Sequence, residues 1–245
     1  MTRAELLDAL FPAGHATRVE ADGILVGTAT YGQNETVAVL GLVEQTPLGV
    51  EGALALAEHV LEIIRHSPGR PIVVLIDAQS QRMRRRDELL GLNEYLAHLT
   101  KCFLLASQRG HRTLGIIFGR IAAGAFIATG LALDQLVAVP GGDPMVMDLP
   151  SIARVTKLPL DRLETLAKDT PVFAPGLAHA LPIGAVQEVW ENPVELSAKL
   201  AAALQEPRPT RDERAALGLA RGGRLHAAEI ARRVEQEAVA AAAHD

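Results

Sequence analysis

Residues 110–140 place the tightest limit on how this chain can fold, because they hold two apolar strands joined by a turn and a helix. The predicted strands cover residues 114–118 and 136–139, and a helix rich in Ala and Leu lies between them. An earlier apolar run, Ile72–Ile76, is followed by a predicted helix at residues 89–106. Strands separated by helices pair in parallel through right-handed crossovers. The sequence therefore predicts an α/β fold with a central parallel sheet covered by helices.

Small residues form the turn Gly119–Gly124, between the first of these strands and its helix. Gly119, Ala122, Ala123 and Gly124 would leave the first N–H groups of the helix open to a ligand. Such N–H groups, together with the helix dipole, favour an anion or a developing oxyanion. Close packing of the helix on the strand would require the same small side chains, so local sequence leaves both interpretations open.

The rest of the chain adds further predicted elements to this unit. They are a helix at 4–10, a hairpin of strands at 23–31 and 36–43, helices at 51–66 and 160–168, a strand at 187–189 and a helix at 192–205. A loop at 78–86 is expected after the strand that ends at Ile76, and Ser151 is expected to cap a short helix.

A possible domain boundary follows the last of these helices. The segment Pro207-Arg208-Pro209 has the composition of a linker. We therefore divide the chain into a main domain at 1–206 and a C-terminal helical extension at 207–245. Thr210 and Glu213 would cap the first helix of the extension.

Composition and charge exclude several classes of protein. The formal net charge of −5 is not that of a nucleic-acid binder, which needs a concentrated basic surface. The single cysteine, Cys102, excludes an internal disulfide and a cysteine-based zinc site, and the histidines lack the spacing of metal ligands. No apolar run approaches the roughly 18 residues that span a membrane, and no signal-peptide pattern begins the sequence. We expect a cytoplasmic protein without a bound metal, a nucleic-acid partner or a membrane partner.

Signatures of several common enzyme classes are missing from the sequence. There is no nucleophile elbow, no Walker lysine and no His-Glu-x-x-His helix, and the turn Gly119–Gly124 lacks the glycine spacing of a dinucleotide site. A dense basic run precedes the predicted helix at 89–106. Its members Arg82, Arg84, Arg85 and Arg86 are either a solvated helix start or a clamp for phosphates or an acidic partner.

Three segments together carry a resemblance to a known family: Val73–Asp77, Gly119–Ala128 and Leu181–Val189. They resemble the crotonase-superfamily carboxyltransferases. Residues 20–205 are more closely similar to the gamma subunit of biotin-independent malonate decarboxylase, a relative of the acetyl-CoA carboxylase carboxyltransferase alpha subunit. One departure is Ala78–Gln81, which stands where the carboxyltransferase pattern has Thr-Pro-Gly-Ala.

The resemblance implies that residues 1–206 form a crotonase-like carboxyltransferase domain, a spiral of ββα units, with extra C-terminal helices at 207–245. It also implies three kinds of partner: a homologous beta subunit, an acyl-carrier subunit that bears a CoA-like phosphopantetheine group, and a larger decarboxylase complex. The gamma and beta subunits would convert malonyl thioester on the carrier to acetyl thioester and carbon dioxide. No biotin and no directly bound cofactor would be needed.

Backbone groups carry the chemistry that the resemblance implies. The N–H groups of Ala122, Ala123 and Gly124 would form one oxyanion hole, and Gln79 and Ser80 would line a second loop. The residues implied to bind substrate or carrier are Gly119, Arg120, Arg82, Arg84, Arg85 and Arg86. We expect the chain to be inactive without its beta partner, because the active site of this family lies between the two subunits.

Two other functions stay open on the sequence alone: a biotin-dependent acyl-CoA carboxyltransferase subunit, and a non-catalytic scaffold of such a complex. Biotin usually sits on another chain, so the lack of a biotinyl segment here does not separate the first from a decarboxylase. A scaffold would tolerate a bulky residue in the turn Gly119–Gly124 without loss of rate.

Overall fold

The computed structural model of the protein describes residues 1–169, 175–207 and 212–242. The strands are β1 (His15–Val19), β2 (Ile24–Tyr31), β3 (Glu35–Leu48), β4 (Ile72–Gln81), β5 (Thr113–Ile117), β6 (Arg120–Ala122), β7 (Gln135–Ala138), β8 (Asp143–Met145) and β9 (Glu188–Val189). The helices are α1 (Arg3–Leu10), α2 (Val50–His66), α3 (Arg85–Leu89), α4 (Leu92–Gln108), α5 (Ala123–Thr129), α6 (Leu149–Thr156), α7 (Leu160–Asp169), α8 (Leu177–Ala180), α9 (Leu196–Gln205), α10 (Arg214–Ala220) and α11 (Ala227–Ala242).

Seven of these strands form one sheet in the order β1-β2-β3-β4-β5-β7-β9. The first three strands pair antiparallel, and the pairs from β3 to β9 are all parallel. Val73 in β4 lies between Val39 in β3 and Leu114 in β5, at the centre of the parallel part. All three residues are fully buried. The parallel sheet predicted from the apolar runs is therefore confirmed.

Two apolar cores cover the two faces of the sheet. Side chains of β4 alternate between them, with Val74 and Ile76 in the core beneath α2, α4 and α5. Val73 and Leu75 lie in the other core, which α1 and α9 cover. Because successive residues of a strand point to opposite faces, a strand covered on both faces is apolar throughout.

The later strands of the chain, from β5 to β8, belong to repeated ββα units. β5 is followed by the short strand β6 and helix α5, and β7 is followed by β8 and helix α6. The second strands of these units, β6 and β8, leave the main sheet and pair with each other in parallel. Ala122 lies opposite Met145 in this pair. This arrangement agrees with the predicted spiral of ββα units.

The predicted loop at 78–86 is wrong over its first part, because β4 continues to Gln81. Strand β3 supplies the pairing partner: Thr46 lies opposite Ala78 and Leu48 lies opposite Gln81. The register shifts between Leu42 and Thr46, where Glu44 and Gln45 both have positive φ. This bulge redirects β3 so that it meets the end of β4.

Two helix predictions need correction. The helix expected at 89–106 is interrupted at Gly91, whose φ of 77° separates α3 from α4. Helix α6 is capped by Asp148, whose carboxylate accepts a hydrogen bond from the N–H of Ser151, so Ser151 is not the cap. The predicted cap at Thr210 lies outside the described residues.

Candidate functional site

The turn at the start of α5 lies where β6 ends. Ala122 is extended, with φ −139° and ψ 160°, because it pairs with β8. Ala123 then has a φ of +50°, a left-handed conformation that costs a residue with a Cβ about 1–2 kcal/mol. Backbone strain of this kind is found most often at functional sites. The pairing of β6 and the strained Ala123 thus set the direction in which the backbone enters α5.

The N–H of Gly124, one residue further on, donates a hydrogen bond to Oε1 of Gln81 at 2.8 Å. The expectation that this N–H lacks an internal partner is therefore wrong. A Cβ on Gly124 would come within 3.0 Å of the Leu96 side chain and 3.2 Å of Gln81 Oε1, so the space beside the turn is narrow. The Gly124 N–H is directed at a carbonyl oxygen that comes from outside its helix.

The segment that was predicted to hold a second set of site residues, Gln79 and Ser80, contacts the turn through Gln81 instead. Gln79 and Ser80 belong to strand β4, and the Ser80 hydroxyl donates to the Gln81 carbonyl oxygen at 3.0 Å. Gln81 makes the contact with Gly124. Sequence reasoning missed Gln81, although the alternation of a continued strand places Gln79 and Gln81 on one face.

Asp77 supports the other end of the turn. Burial raises the pKa of its carboxyl above the usual value, and the nearby backbone N–H groups of Arg120 and Gln45 oppose this shift. A Cβ on Gly119 would lie 2.0 Å from Asp77 Oδ1, so only glycine fits at this position. Asp77 also lines a cavity of about 610 Å³ that reaches Arg3 and Arg120. This carboxylate therefore joins the bulge of β3 to the start of the turn.

Arg82, one of the predicted binding residues, has a side chain that is ion-paired within the protein. The guanidinium contacts Asp22 at 3.0 Å, Asp87 at 3.0 Å and Glu51, and only 11% of the side chain is exposed. The hydrogen bonds and charge of Asp87 raise the pKa of Arg82 further above its usual value. A Cβ on Gly49 would lie 2.1 Å from this guanidinium.

The other basic residues singled out in the sequence remain at the surface. Arg84 and Arg85 are exposed, and Arg86 pairs with Glu51 while most of its side chain stays exposed. Arg120 reaches Asp148 at 3.4 Å. Three of the four arginines in the run are thus accessible to a partner, and Arg82 is not.

The groups that this arrangement offers are backbone donors. Cys102 is buried, and burial raises the pKa of its thiol, which disfavours the nucleophilic thiolate. Buried His111 has its Nδ1 2.9 Å from the Arg70 carbonyl oxygen, a structural contact. Over residues 1–169, 175–207 and 212–242, no cluster of His, Cys, Asp or Glu could hold a metal ion. Nor does any helix in those ranges have the length and apolar character needed to cross a membrane.

A spiral of ββα units, with a backbone-lined turn at the carboxyl end of its parallel strands, defines a crotonase-like protein. The family model described as "Malonate decarboxylase gamma subunit" matches residues 43–238. The chain therefore belongs to the malonate decarboxylase gamma subunit family. This membership confirms the predicted family and the predicted enzyme class, a carboxy-lyase subunit. It also favours a decarboxylase subunit over a biotin-dependent carboxyltransferase subunit.

Individual relatives agree with the family assignment, and one of them is named for a biotin-dependent carboxyl transfer. The chain is 28% identical, over 83% of its length and 80% of the relative's, to the malonyl-S-ACP:biotin-protein carboxyltransferase MADD of Malonomonas rubra. The Pseudomonas malonate decarboxylase MdcD-MdcE hetero-dimer has a TM-score of 0.75 and 25% identity, with 95% of this chain and 97% of that chain covered. A Pseudomonas malonate decarboxylase hetero-tetramer in complex with coenzyme A has a TM-score of 0.80 at 24% identity, with 95% and 98% covered. The predicted fold is confirmed, and the predicted heteromeric assembly is confirmed for these relatives.

Proposed function

We propose that this chain, paired with a homologous beta subunit, decarboxylates malonyl thioester carried on an acyl-carrier subunit, and that the backbone of Ala122, Ala123 and Gly124 binds the thioester oxygen. The observation that carries this proposal is the hydrogen bond from the Gly124 N–H to Oε1 of Gln81 at 2.8 Å. An amide oxygen and a thioester oxygen are both carbonyl acceptors. The Gln81 oxygen therefore marks a position where a substrate oxygen would also be bound.

Decarboxylation needs stabilisation of negative charge more than it needs a nucleophile. When the bond between the α-carbon and the carboxylate breaks, carbon dioxide leaves and the electron pair forms an enolate on the thioester oxygen. A preorganised N–H donor at that oxygen contributes about 2.7–4 kcal/mol to the transition state. Protonation of the α-carbon then gives the acetyl thioester. Buried Cys102 and His111 have no part in these steps.

Gln81 must leave Gly124 when a substrate oxygen binds there. Its side chain is half-buried, and its amide nitrogen donates only a weak hydrogen bond to Sδ of Met83 at 3.7 Å. The backbone of Gln81 stays fixed by pairing with Leu48. Rotation of the side chain alone would therefore expose the donor. Gln79 and Ser80, which precede Gln81 at the end of β4, keep their proposed place in the site.

The partners of the proposed reaction are taken from the relatives and from exposed charge. One relative is named for malonyl-S-ACP and another is an MdcD-MdcE hetero-dimer. The first supports a carrier for this chain, and the second supports a partner subunit. Arg84, Arg85 and Arg86, with Gly119 and Arg120 beside the turn, are proposed to contact the carrier. We propose a phosphopantetheine group on the carrier, within a larger complex, and no biotin. The boundary at 206/207 and a cytoplasmic location remain predictions.

The test uses the assembled complex of this chain with its beta partner and a malonyl-loaded carrier. Gly124→Val would fill the space beside Gln81 and displace one donor, so turnover should fall by about a hundredfold or more. Gly130→Ala is the matched control. It adds a Cβ 3.0 Å from Phe126 at the other end of the same helix, without touching the donors.

Three results would decide between the functions. Loss of turnover in Gly124→Val alone, with normal assembly, supports the proposed site. Normal turnover in both variants would mean that the small residues of the turn serve only to pack α5 and would favour the non-catalytic scaffold. Loss of wild-type activity on addition of avidin would instead indicate a biotin-dependent carboxyltransferase, the activity for which the Malonomonas relative is named.

A further inference from the structure

A cavity of about 430 Å³ lies at the end of the sheet opposite the turn Gly119–Gly124. Arg112, Asp134 and Gln187 line it, and these residues immediately precede β5, β7 and β9. They therefore lie at the amino ends of three parallel strands, whereas the turn follows the carboxyl end of β5. The cavity has the size of a small-molecule site. A ligand bound in it would not compete with a substrate oxygen at the turn.

Arg112 brings a buried positive charge to this cavity. Its side chain is only 9% exposed. The Nε atom donates a hydrogen bond to the carbonyl oxygen of Ala203 at 3.2 Å, and Nη2 donates to Oε1 of Gln135 at 2.7 Å. The remaining nitrogen, Nη1, is buried and has no hydrogen-bond acceptor among the residues that the structure describes. A buried donor without an acceptor costs stability, so this guanidinium favours one more oxygen ligand.

Two glutamine side chains place further donors beside Arg112. The amide oxygen of Gln135 accepts the hydrogen bond from Arg112, and that of Gln187 accepts the N–H of Leu136 at 2.8 Å. These bonds fix which end of each amide is the oxygen, and each amide has two N–H donors on its other side. Neither amide nitrogen donates to an acceptor in the described ranges. The polar lining of the cavity is therefore rich in donors.

Two of the carboxylates that line the cavity already have partners within the protein. Asp134 accepts hydrogen bonds from the hydroxyl of Ser107 and from the N–H of Thr113, the latter at 3.0 Å. Asp212 is paired with Arg214 at 2.7 Å. Both carboxylates are held in place by these groups and do not call for a cationic ligand.

The other two carboxylates of the lining, Glu206 and Glu213, are exposed to solvent. Glu206 Oε2 lies 3.8 Å from Nη2 of Arg112, and the Glu206 side chain is 62% exposed. Charge-assisted hydrogen bonds of this type are about 2.7–2.9 Å long, so the pair is loose. Water can solvate Glu206 when another carboxylate approaches Arg112. The charges of Glu206 and Glu213 also favour a ligand with one negative charge over a dianion.

We propose that this cavity binds a carboxylate anion with a short aliphatic chain. The carboxylate would take the place of Glu206 beside Arg112, because a guanidinium and a carboxylate are matched in shape and charge. The chain would lie on the apolar part of the lining, which comprises Leu104 in α4, Leu133 before β7 and Leu217 in α10. Such a ligand would join the sheet to the first helix of the C-terminal extension.

The experiment titrates the assembled gamma–beta complex with butyrate in a calorimeter, and compares it with butyramide, which has the same shape and no charge. Butyramide should bind at least about tenfold more weakly, because its hydrogen bond to the guanidinium lacks the charge of a carboxylate. Butyrate should also raise the melting temperature, since it binds the folded protein alone. Glu206→Gln should tighten butyrate binding about threefold, because a competing anion is removed.

Arg112→Gln should abolish the preference for butyrate over butyramide. Arg112 also holds Ala203 of α9, so a second variant tests the cavity without disturbing that contact. Leu104→Glu adds a negative charge to the lining at a side chain that is 47% exposed, and it should weaken butyrate binding about tenfold. Leu54→Glu is the matched control, because Leu54 is 43% exposed and lies in α2, outside the lining.

The inference would be overturned if butyrate and butyramide bound equally or if butyrate did not bind. It would also be overturned if Leu104→Glu and Leu54→Glu both bound butyrate as the wild type does. Butyrate that competes with the malonyl-loaded carrier would place the anion at the turn instead of in this cavity. None of the binding measurements requires turnover, so failure of the proposed decarboxylation and failure of this site are distinguishable.

Discussion

Arg82 is predicted to be a stability residue, and replacing it with Gln should destabilise the protein strongly. Its guanidinium sits against the start of α2 and contacts Asp22, Glu51 and Asp87. Asp87 is fully buried, and apart from Arg82 it accepts a hydrogen bond from the N–H of Val50 at 3.1 Å. Removal of Arg82 would leave the Asp87 carboxylate charged, buried and without its main counter-ion.

The size of the effect follows from this burial. Breaking a buried ion pair by removal of one partner costs about 3–5 kcal/mol, because the remaining charge stays desolvated. For a chain of this length, each kcal/mol shifts the melting temperature by about 2–4 °C. Arg82→Gln should therefore lower the melting temperature by about 6–20 °C. The partly exposed Asp22 and Glu51 can be solvated instead, so most of the loss comes from Asp87.

Thermal unfolding followed by circular dichroism, with urea titration at pH 7, measures this loss. Arg84→Gln is the matched control: it removes an exposed arginine two residues away and should change stability by less than about 0.5 kcal/mol. The double variant Arg82→Gln with Asp87→Asn should recover part of the loss, since no uncompensated charge remains. Equal stability of Arg82→Gln and Arg84→Gln would refute the reasoning and return Arg82 to the group of surface arginines.

Three further predictions concern acid sensitivity and the two ends of the turn. Arg82 holds the pKa of Asp87 below its usual value. The stability that this carboxylate contributes is therefore present above the unfolded pKa of about 3.9 and is lost as pH falls through the lower folded pKa. Asp87→Asn should flatten the pH dependence of urea unfolding in that range. Gly119→Ala should cost about 1–3 kcal/mol, because the new Cβ would lie 2.0 Å from Asp77 Oδ1, and an unchanged melting temperature would contradict this. Gln81→Ala should lower KM for the malonyl thioester about fivefold, since the substrate oxygen no longer displaces an internal hydrogen bond of typical strength; a raised KM would show that Gln81 positions the substrate.

The structure confirmed several predictions made from short apolar segments. The strand at Ile72–Ile76 is one continuous apolar run, and the helix at 51–66 has a helical apolar pattern. Neighbouring residues are therefore enough to specify each of them. The loop predicted at 78–86 is wrong over its first part for the opposite reason. Whether the chain after Asp77 is loop or strand depends on β3, which supplies the pairing partner from a distant part of the chain.

By itself, the sequence determined the parallel sheet, the two covering layers of helices and the family, because these depend on residue patterns and on motifs that are continuous along the chain. The tertiary structure decided which polar groups are free to act. Arg82 resembles its neighbours in sequence, yet its partners Asp22 and Glu51 come from separate elements. The N–H of Gly124 donates a hydrogen bond to Oε1 of Gln81, which is 43 residues away in the sequence. Burial and hydrogen-bond pairing are properties of the folded arrangement, and a local pattern does not contain them.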